Sequence, residues 1–156
     1  MAHKLNLINP VGRMSYIWNI SDRVGLNHSR NNPTDVLLVK AIAFEVLRVI
    51  SKSDFPSGFS RPLTPDSTVD YGLLFWIIHF NTSFNWKPSM IKDRSELFYA
   101  SPARGTSYGN GKWTIYLMNS SLYNINPNAW ENLPNSPYVT PQLRAELQDS
   151  KMATRT

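Results

Sequence analysis

The sequence predicts a mainly α-helical fold, with a small helical core between irregular, proline-rich N- and C-terminal arms. Val36, Val39, Ala43, Val46 and Ile50 recur at three- and four-residue spacing, which traces one face of a helix. A second apolar run, Leu73 to Ile78, is hydrophobic on every side and belongs in an interior. The prolines gather away from these runs, at Pro10 near the start and at Pro127, Pro134, Pro137 and Pro141 near the end.

Residues 1–30 are mixed, with Pro10, Gly12, Gly25 and several asparagines, and read as an irregular arm around the apolar patch Tyr16-Ile17-Trp18. The first helix then opens with three consistent signals. Asn32 is a good N-cap, Pro33 suits the first helical position, and the Asp35 carboxylate in the first turn offsets the helix dipole. Leu37, Ile42 and Leu47 widen its apolar face, and each large side chain buried there contributes about 1.5–3 kcal/mol before entropy is charged against it. Ser53 to Pro65 carries three prolines and a glycine and is read as a loop. Thr68 or Asp70 would cap the next segment, whose apolar run fits a buried helix or a buried strand equally well by periodicity.

From Thr82 to Gly111 the chain is polar and interrupted, with one short helical candidate at Asp93 to Tyr99. Asn110-Gly111 is a tight-turn signal, and Lys112 to Met118 reads as a strand or the start of a helix. The prolines after Asn119 predict an extended arm. Within it Thr140 caps, and Pro141 opens, a short amphipathic helix through Leu143 and Leu147. Lys151 to Thr156 are expected to fray unless a neighbour holds them.

At 156 residues the chain is long enough to bury one core without covalent staples. It contains no cysteine, so disulfides, thiolate metal sites and cysteine nucleophiles are excluded. Sixteen basic against eleven acidic residues give a net charge of +5, which favours acidic partners. No basic run exceeds two residues, so nucleic acid is not an expected partner. The longest apolar run, Tyr71 to Phe80, is about half the roughly 20 residues that span a bilayer, and no membrane span is expected. Residues 1–10 lack the hydrophobic stretch of a secretion signal, so export by the general pathway is not expected either.

Two stretches together resemble a known module. Asn31, Pro33, Asp35, Val36 and Val39 match the N-x-P-x-D-V-x-x-V-Q opening of the peptidoglycan-binding-like domain, with Lys40 in place of Gln and Val24-Gly25 upstream as in many members. Leu63, Asp66, Ile77 and Phe80 match its L-x-V-D-G-x-x-G-P-x-T-x-x-A-I-x-x-F-Q closing, with Asn81 in place of Gln. Ser67 and Asp70 stand where the family has glycines, Leu73 replaces its Thr and Trp76 its Ala. Thr114 to Asn119 is similar to a T-[LI]-x-x-L-N segment that follows the module in some bacterial and phage-associated relatives. The resemblance covers residues 24–81, with an extension to 119, and implies a three-helix core. The expected organisation is an N-terminal arm at 1–23, the core with its extension at 24–119, and a C-terminal arm at 120–156. A non-glycine residue forced into the left-handed region costs about 1–2 kcal/mol. The fold is therefore expected to persist while a site built on the glycine turn is not.

Candidate chemistry is sparse. Glu45 and Glu146 read as solvated helix charges, and Glu96 and Glu131 stand alone in polar surroundings. His3, His28 and His79 form no ligand pattern, and His79 reads as a helix-edge histidine bonded to a neighbour. No catalytic residue, metal or cofactor is expected. Trp113, Tyr116, Tyr123 and Trp130, with Asn124, Asn126 and Asn128, form an aromatic and amide mixture of the kind that stacks on sugar rings, and are the candidate glycan-binding residues. The competing reading places Trp113, Tyr116 and Trp130 over the core and the asparagines in turns. Asn32, Asp35, Asp66 and Asp70 are expected to be structural, at caps and turns; Asp66 resembles the family's turn aspartate, which caps the second signature helix.

Family members ordinarily accompany a hydrolase domain, whereas the remaining residues here read as arms. The resulting expectation is a non-enzymatic structural or adaptor component of a phage virion or phage-like contractile injection particle, assembled in the bacterial cytoplasm. Its partners would be other subunits of the assembly or copies of itself. The alternative expectation is a module that binds peptidoglycan.

Overall fold

In the computed structural model the described residues are 1–7, 14–49, 64, 66–82, 97–103 and 113–148. They are mainly helical. Strands β1 (His3–Asn6) and β2 (Tyr16–Asn19) pair antiparallel, with His3 opposite Asn19 and Lys4 opposite Trp18. Strand β3 (Val24–Gly25) pairs antiparallel with β4 (Tyr99–Ala100). Helices follow at α1 (Pro33–Leu47), α2 (Tyr71–Thr82), α3 (Thr114–Ile125), α4 (Pro127–Glu131) and α5 (Pro141–Gln148), with a 3-10 turn at Leu133–Asn135.

Helix α1 is the central element and packs against α2, α3 and α5. It is buried on nearly every side, so its 3.6-residue pattern understates how much of it is interior. Lys40 and Glu45 interrupt that pattern without reaching solvent. Glu45 is buried rather than solvated, and Arg48 Nη1 donates to its Oε1 at 2.8 Å. The Leu73–Ile78 run is helical, as is Thr114–Met118, so both ambiguous segments resolve to helix. Packing against α1, α3 and β4 leaves α2 an all-round apolar helix, for which periodicity carries no information.

The arms differ from expectation. Residues 1–7 and 14–20 are not irregular: Leu5, Leu7, Met14, Ile17, Trp18 and Ile20 belong to the same hydrophobic core as α1 and α3. The stretch after Asn119 is not extended. Pro127 opens α4 and Pro134 stands second in the 3-10 turn, because proline is tolerated in a first turn, where the backbone N–H has no partner within the helix. Helix α5 forms as predicted, with Leu143 N donating to the Thr140 hydroxyl at 3.2 Å and Leu143 and Leu147 buried. Tyr99, expected at the end of a short helix, is in β4. The Ser53–Pro65 loop, apart from Thr64, the Asp93–Glu96 part of the helical candidate, the Asn110-Gly111 turn, Ile50, Leu63 and residues 151–156 lie outside the described residues.

Candidate functional site

The polar residues of the interior form two groups. The first surrounds Lys40, whose side chain is buried in α1. Its Nζ donates to the Thr64 carbonyl at 3.0 Å, the Thr64 hydroxyl at 3.2 Å, Asp66 Oδ1 at 3.2 Å and Asp70 Oδ2 at 3.1 Å. An ammonium taken out of water is costly, and these oxygens are its compensation. Asp70 also accepts from Leu73 N at 2.8 Å, so it is the cap of α2, and from Thr64 N at 3.0 Å. Asp66 does not cap that helix. Its Oδ1 accepts from Thr68 N at 2.9 Å and from the Thr64 hydroxyl, closing a turn two residues long before the helix begins. The Thr68 and Thr64 bonds hold the Asp66 carboxyl far below the ordinary carboxylate value. Burial pushes Asp70 upward, but Thr64, Leu73 and Lys40 together bring it below that value.

The second group ties distant segments with side-chain amides. Asn119 Nδ2 donates to the Trp18 carbonyl at 2.9 Å and its Oδ1 accepts from Trp18 N at 2.8 Å. Asn19 makes the same two-point pairing with Ala103, at 3.2 and 3.0 Å, and Asn31 makes it with Gly25, at 3.0 and 2.7 Å. Asn81 Nδ2 donates to the carbonyls of Leu97 and Tyr99, and its Oδ1 accepts from the Thr114 hydroxyl at 2.7 Å. In the Asn119, Asn19 and Asn31 pairings the amide turns one donor and one acceptor in a plane toward a single residue, which is what a neighbouring strand residue offers. Asn31 adopts φ 52°, a left-handed conformation that asparagine tolerates.

Asp35 belongs to this tying system. It is fully buried and accepts from Ser21 N at 3.2 Å, the Ser21 hydroxyl at 3.0 Å and Asp22 N at 3.2 Å. Its position in the first turn of α1 is as expected, but its bonds lead to the segment after β2. Asn32 occupies the N-cap position without a side-chain capping bond; its amide instead points to Asp35 Oδ2 at 3.4 Å.

The four candidate glycan-binding residues do not share a face open to a ligand. Tyr116 and Trp130 are buried. Trp130 Nε1 donates to Asn119 Oδ1 at 3.0 Å, and its ring stacks on Tyr16 with centroids 4.5 Å apart. Tyr123 meets Trp130 edge-on at 4.9 Å, and Trp18 Nε1 donates to the Trp130 carbonyl at 2.7 Å. Trp113, half-buried, precedes α3 and packs against the core. Residues the sequence did not single out complete the two groups, Thr64 around Lys40 and Asn19 and Ser21 in the tying system; none has a local pattern that marks it.

His79 is half-buried beside the rings of Trp76 and Phe80, and burial pushes its imidazole below its ordinary value. Glu146 carries a buried carboxylate oxygen with no hydrogen-bond partner among the described residues, so it is not a fully solvated charge. Among those residues no group of three or more His, Asp or Glu side chains is placed to hold a metal ion, and no helix is long and apolar enough to cross a membrane. No family model, no curated protein and no solved structure matches this chain.

Proposed function

We propose that this chain is a non-enzymatic structural or adaptor component of a phage virion or phage-like contractile injection particle, built on a degenerate three-helix peptidoglycan-binding-like core. One observation carries the reading: the polar letters of the signature stretches bond within the chain. Asn31 holds Gly25, Asp35 holds Ser21 and Asp22, and Asn81 holds Tyr99 and Thr114, while Asn119 holds Trp18. Residues used this way maintain a shape, and maintaining a shape is the work of a subunit in an assembly.

Two departures from the family pattern meet in space and support the same reading. Lys40 replaces Gln and Asp70 replaces Gly, and the two lie 3.1 Å apart. The turn that glycine would make is rebuilt around a buried ion pair, and a ligand site depending on the glycine turn is lost with it. The burial of Tyr116 and Trp130 favours the adaptor over the wall-glycan module. The test is density-gradient sedimentation of the untagged protein from its native source, each fraction probed for this chain. Migration with a large particle is the expected result; a chain that stays at the top of the gradient as a monomer overturns the proposal.

A further inference from the structure

His3 and Asn19 stand opposite each other at the end of the β1–β2 ladder, and both are buried. The Ala103 backbone fixes the Asn19 amide: Oδ1 accepts from Ala103 N at 3.0 Å and Nδ2 donates to the Ala103 carbonyl at 3.2 Å. Nδ2 also lies 3.3 Å from His3 Nε2, and an amide nitrogen has two hydrogens to give. On the other side of the ring, Nδ1 lies 3.0 Å from the Met1 carbonyl, which can only accept. These partners select one form of the imidazole, neutral, with its proton on Nδ1 and a lone pair on Nε2. A proton added at Nε2 sets N–H against N–H. Turning the Asn19 amide over to offer its oxygen sets oxygen against the Ala103 carbonyl and nitrogen against the Ala103 N–H, which leaves two backbone groups unsatisfied. Proton uptake at His3 and the Asn19–Ala103 pairing therefore exclude each other.

We propose that His3 is an acid-operated latch: its neutral ring keeps the two small sheets joined through Asn19 and Ala103, and its protonation opens that seam while the chain stays folded. Asn19 ends β2 of one sheet, and Ala103 follows β4 of the other. The sign follows from the tautomer. The joined state leaves no room for a proton on Nε2, and the open state takes one up at the ordinary imidazole value of about 6.5. The seam is therefore fully held above that value and is lost as pH falls below it. The other titratable groups of the surrounding elements have places of their own. On β1 and β2, the Lys4 ammonium sits over the Tyr16 ring, on the face of β1 opposite His3. Helix α5, which packs against β1, brings Glu146 and Arg144, whose guanidinium donates to the Pro134 and Val139 carbonyls. The Met1 ammonium pairs with Asp35 of α1 at 3.4 Å, and the Tyr99 ring of β4 lies under Arg23. The position facing Nε2 belongs to Asn19.

Amide exchange of the full chain, followed residue by residue by NMR as a protection factor, tests this. Uptake of one proton by the open state alone raises its population roughly 30-fold between about pH 7.5 and 5. The protection of Ala103 N–H is expected to fall by that factor, while Trp18 N–H, held by Asn119, keeps its protection. In the same samples the nitrogen shifts of the His3 ring should report the Nδ1–H tautomer at the upper end, and its titration should coincide with the loss at Ala103. His3→Gln keeps a side-chain donor and acceptor but does not titrate, so Ala103 should stay protected at every pH. That variant also separates His3 from His28 and His79, whose imidazoles are unchanged in it. An Nε2–H tautomer in the wild type, a ring that titrates while Ala103 stays protected, or a loss shared equally by Trp18 overturns the inference. So does a loss at Ala103 that persists in folded His3→Gln. If His3→Gln does not fold, the wild-type ring shifts and the Ala103 and Trp18 amides decide between the same outcomes.

Discussion

Asn119 and Trp18, 101 residues apart, are joined by a two-point pairing in which one side-chain amide satisfies both backbone groups of a strand residue. The same Asn119 oxygen also receives the Trp130 indole N–H. Truncation orphans three buried groups at once, and each unsatisfied group costs about 1–3 kcal/mol. Asn119→Ala is therefore expected to lose at least about 3 kcal/mol in urea unfolding, and Asn119→Asp, which cannot donate to the Trp18 carbonyl, should not rescue it. A loss within the scatter of surface substitutions would show that the pairing is not needed.

Gly25 is fixed by geometry on both sides. Its φ is +137°, and a Cβ built there would lie 2.4 Å from the Phe98 carbonyl oxygen and 2.8 Å from Tyr99 Cα. Both obstacles are backbone of the paired strand and cannot swing aside. Gly25→Ala is expected to separate β3 from β4 and to lower the melting temperature more than Gly→Ala ordinarily raises it. Amide exchange at Leu26, which donates to the Phe98 carbonyl, reports the separation directly; an unchanged rate there sinks the argument.

What the sequence disclosed follows from how local each signal is. Helix α1 was legible because its Pro33 start and its apolar spacing lie within the element itself. Helix α2 was not, because a run apolar on all faces has no period to read. Strands β1 and β2 escaped because alternation over His3–Asn6 is too short to stand out and each residue's partner is not local, as with Lys4 and Trp18. The amide ties were beyond reach for a different reason: asparagine favours turns on average, and nothing local to Asn19 or Asn119 says that its partner is Ala103 or Trp18. Lys40 and Asp70 are 30 residues apart in sequence, and nothing local to either says that the fold brings them within 3.1 Å of each other.

That juxtaposition predicts strong coupling. Asp70 is mostly buried and Asp66 mostly exposed, so the Lys40 ammonium depends more on Asp70. Asp70→Asn is expected to cost about 2–4 kcal/mol and Asp66→Asn clearly less, since an ion left without its buried partner is the expensive state. Lys40→Met combined with Asp70→Asn should cost less than the sum of the two, by about 1–3 kcal/mol in a double-mutant cycle. Additive losses would mean that the pair is only adjacent.

Acid should undo the same cluster. The Asp66 and Asp70 carboxyls both sit below their unfolded value of 3.8 in the folded chain, Asp66 chiefly through Thr68 and Thr64, Asp70 because Thr64, Leu73 and Lys40 outweigh its burial. A folded value below the unfolded one stabilises the protein fully above the unfolded value and loses that stabilisation as pH falls toward the folded one. Wild type and the Asp66→Asn, Asp70→Asn double variant are therefore expected to differ by a constant amount near neutral pH and to converge below about pH 4. His79, which burial pushes down, contributes its own slope around its ordinary value of 6.5, but equally in both proteins, so it cancels in the difference. Urea midpoints measured from neutral to strongly acid pH check this, and a gap that stays constant into strong acid would show that the carboxylates are not what the cluster holds.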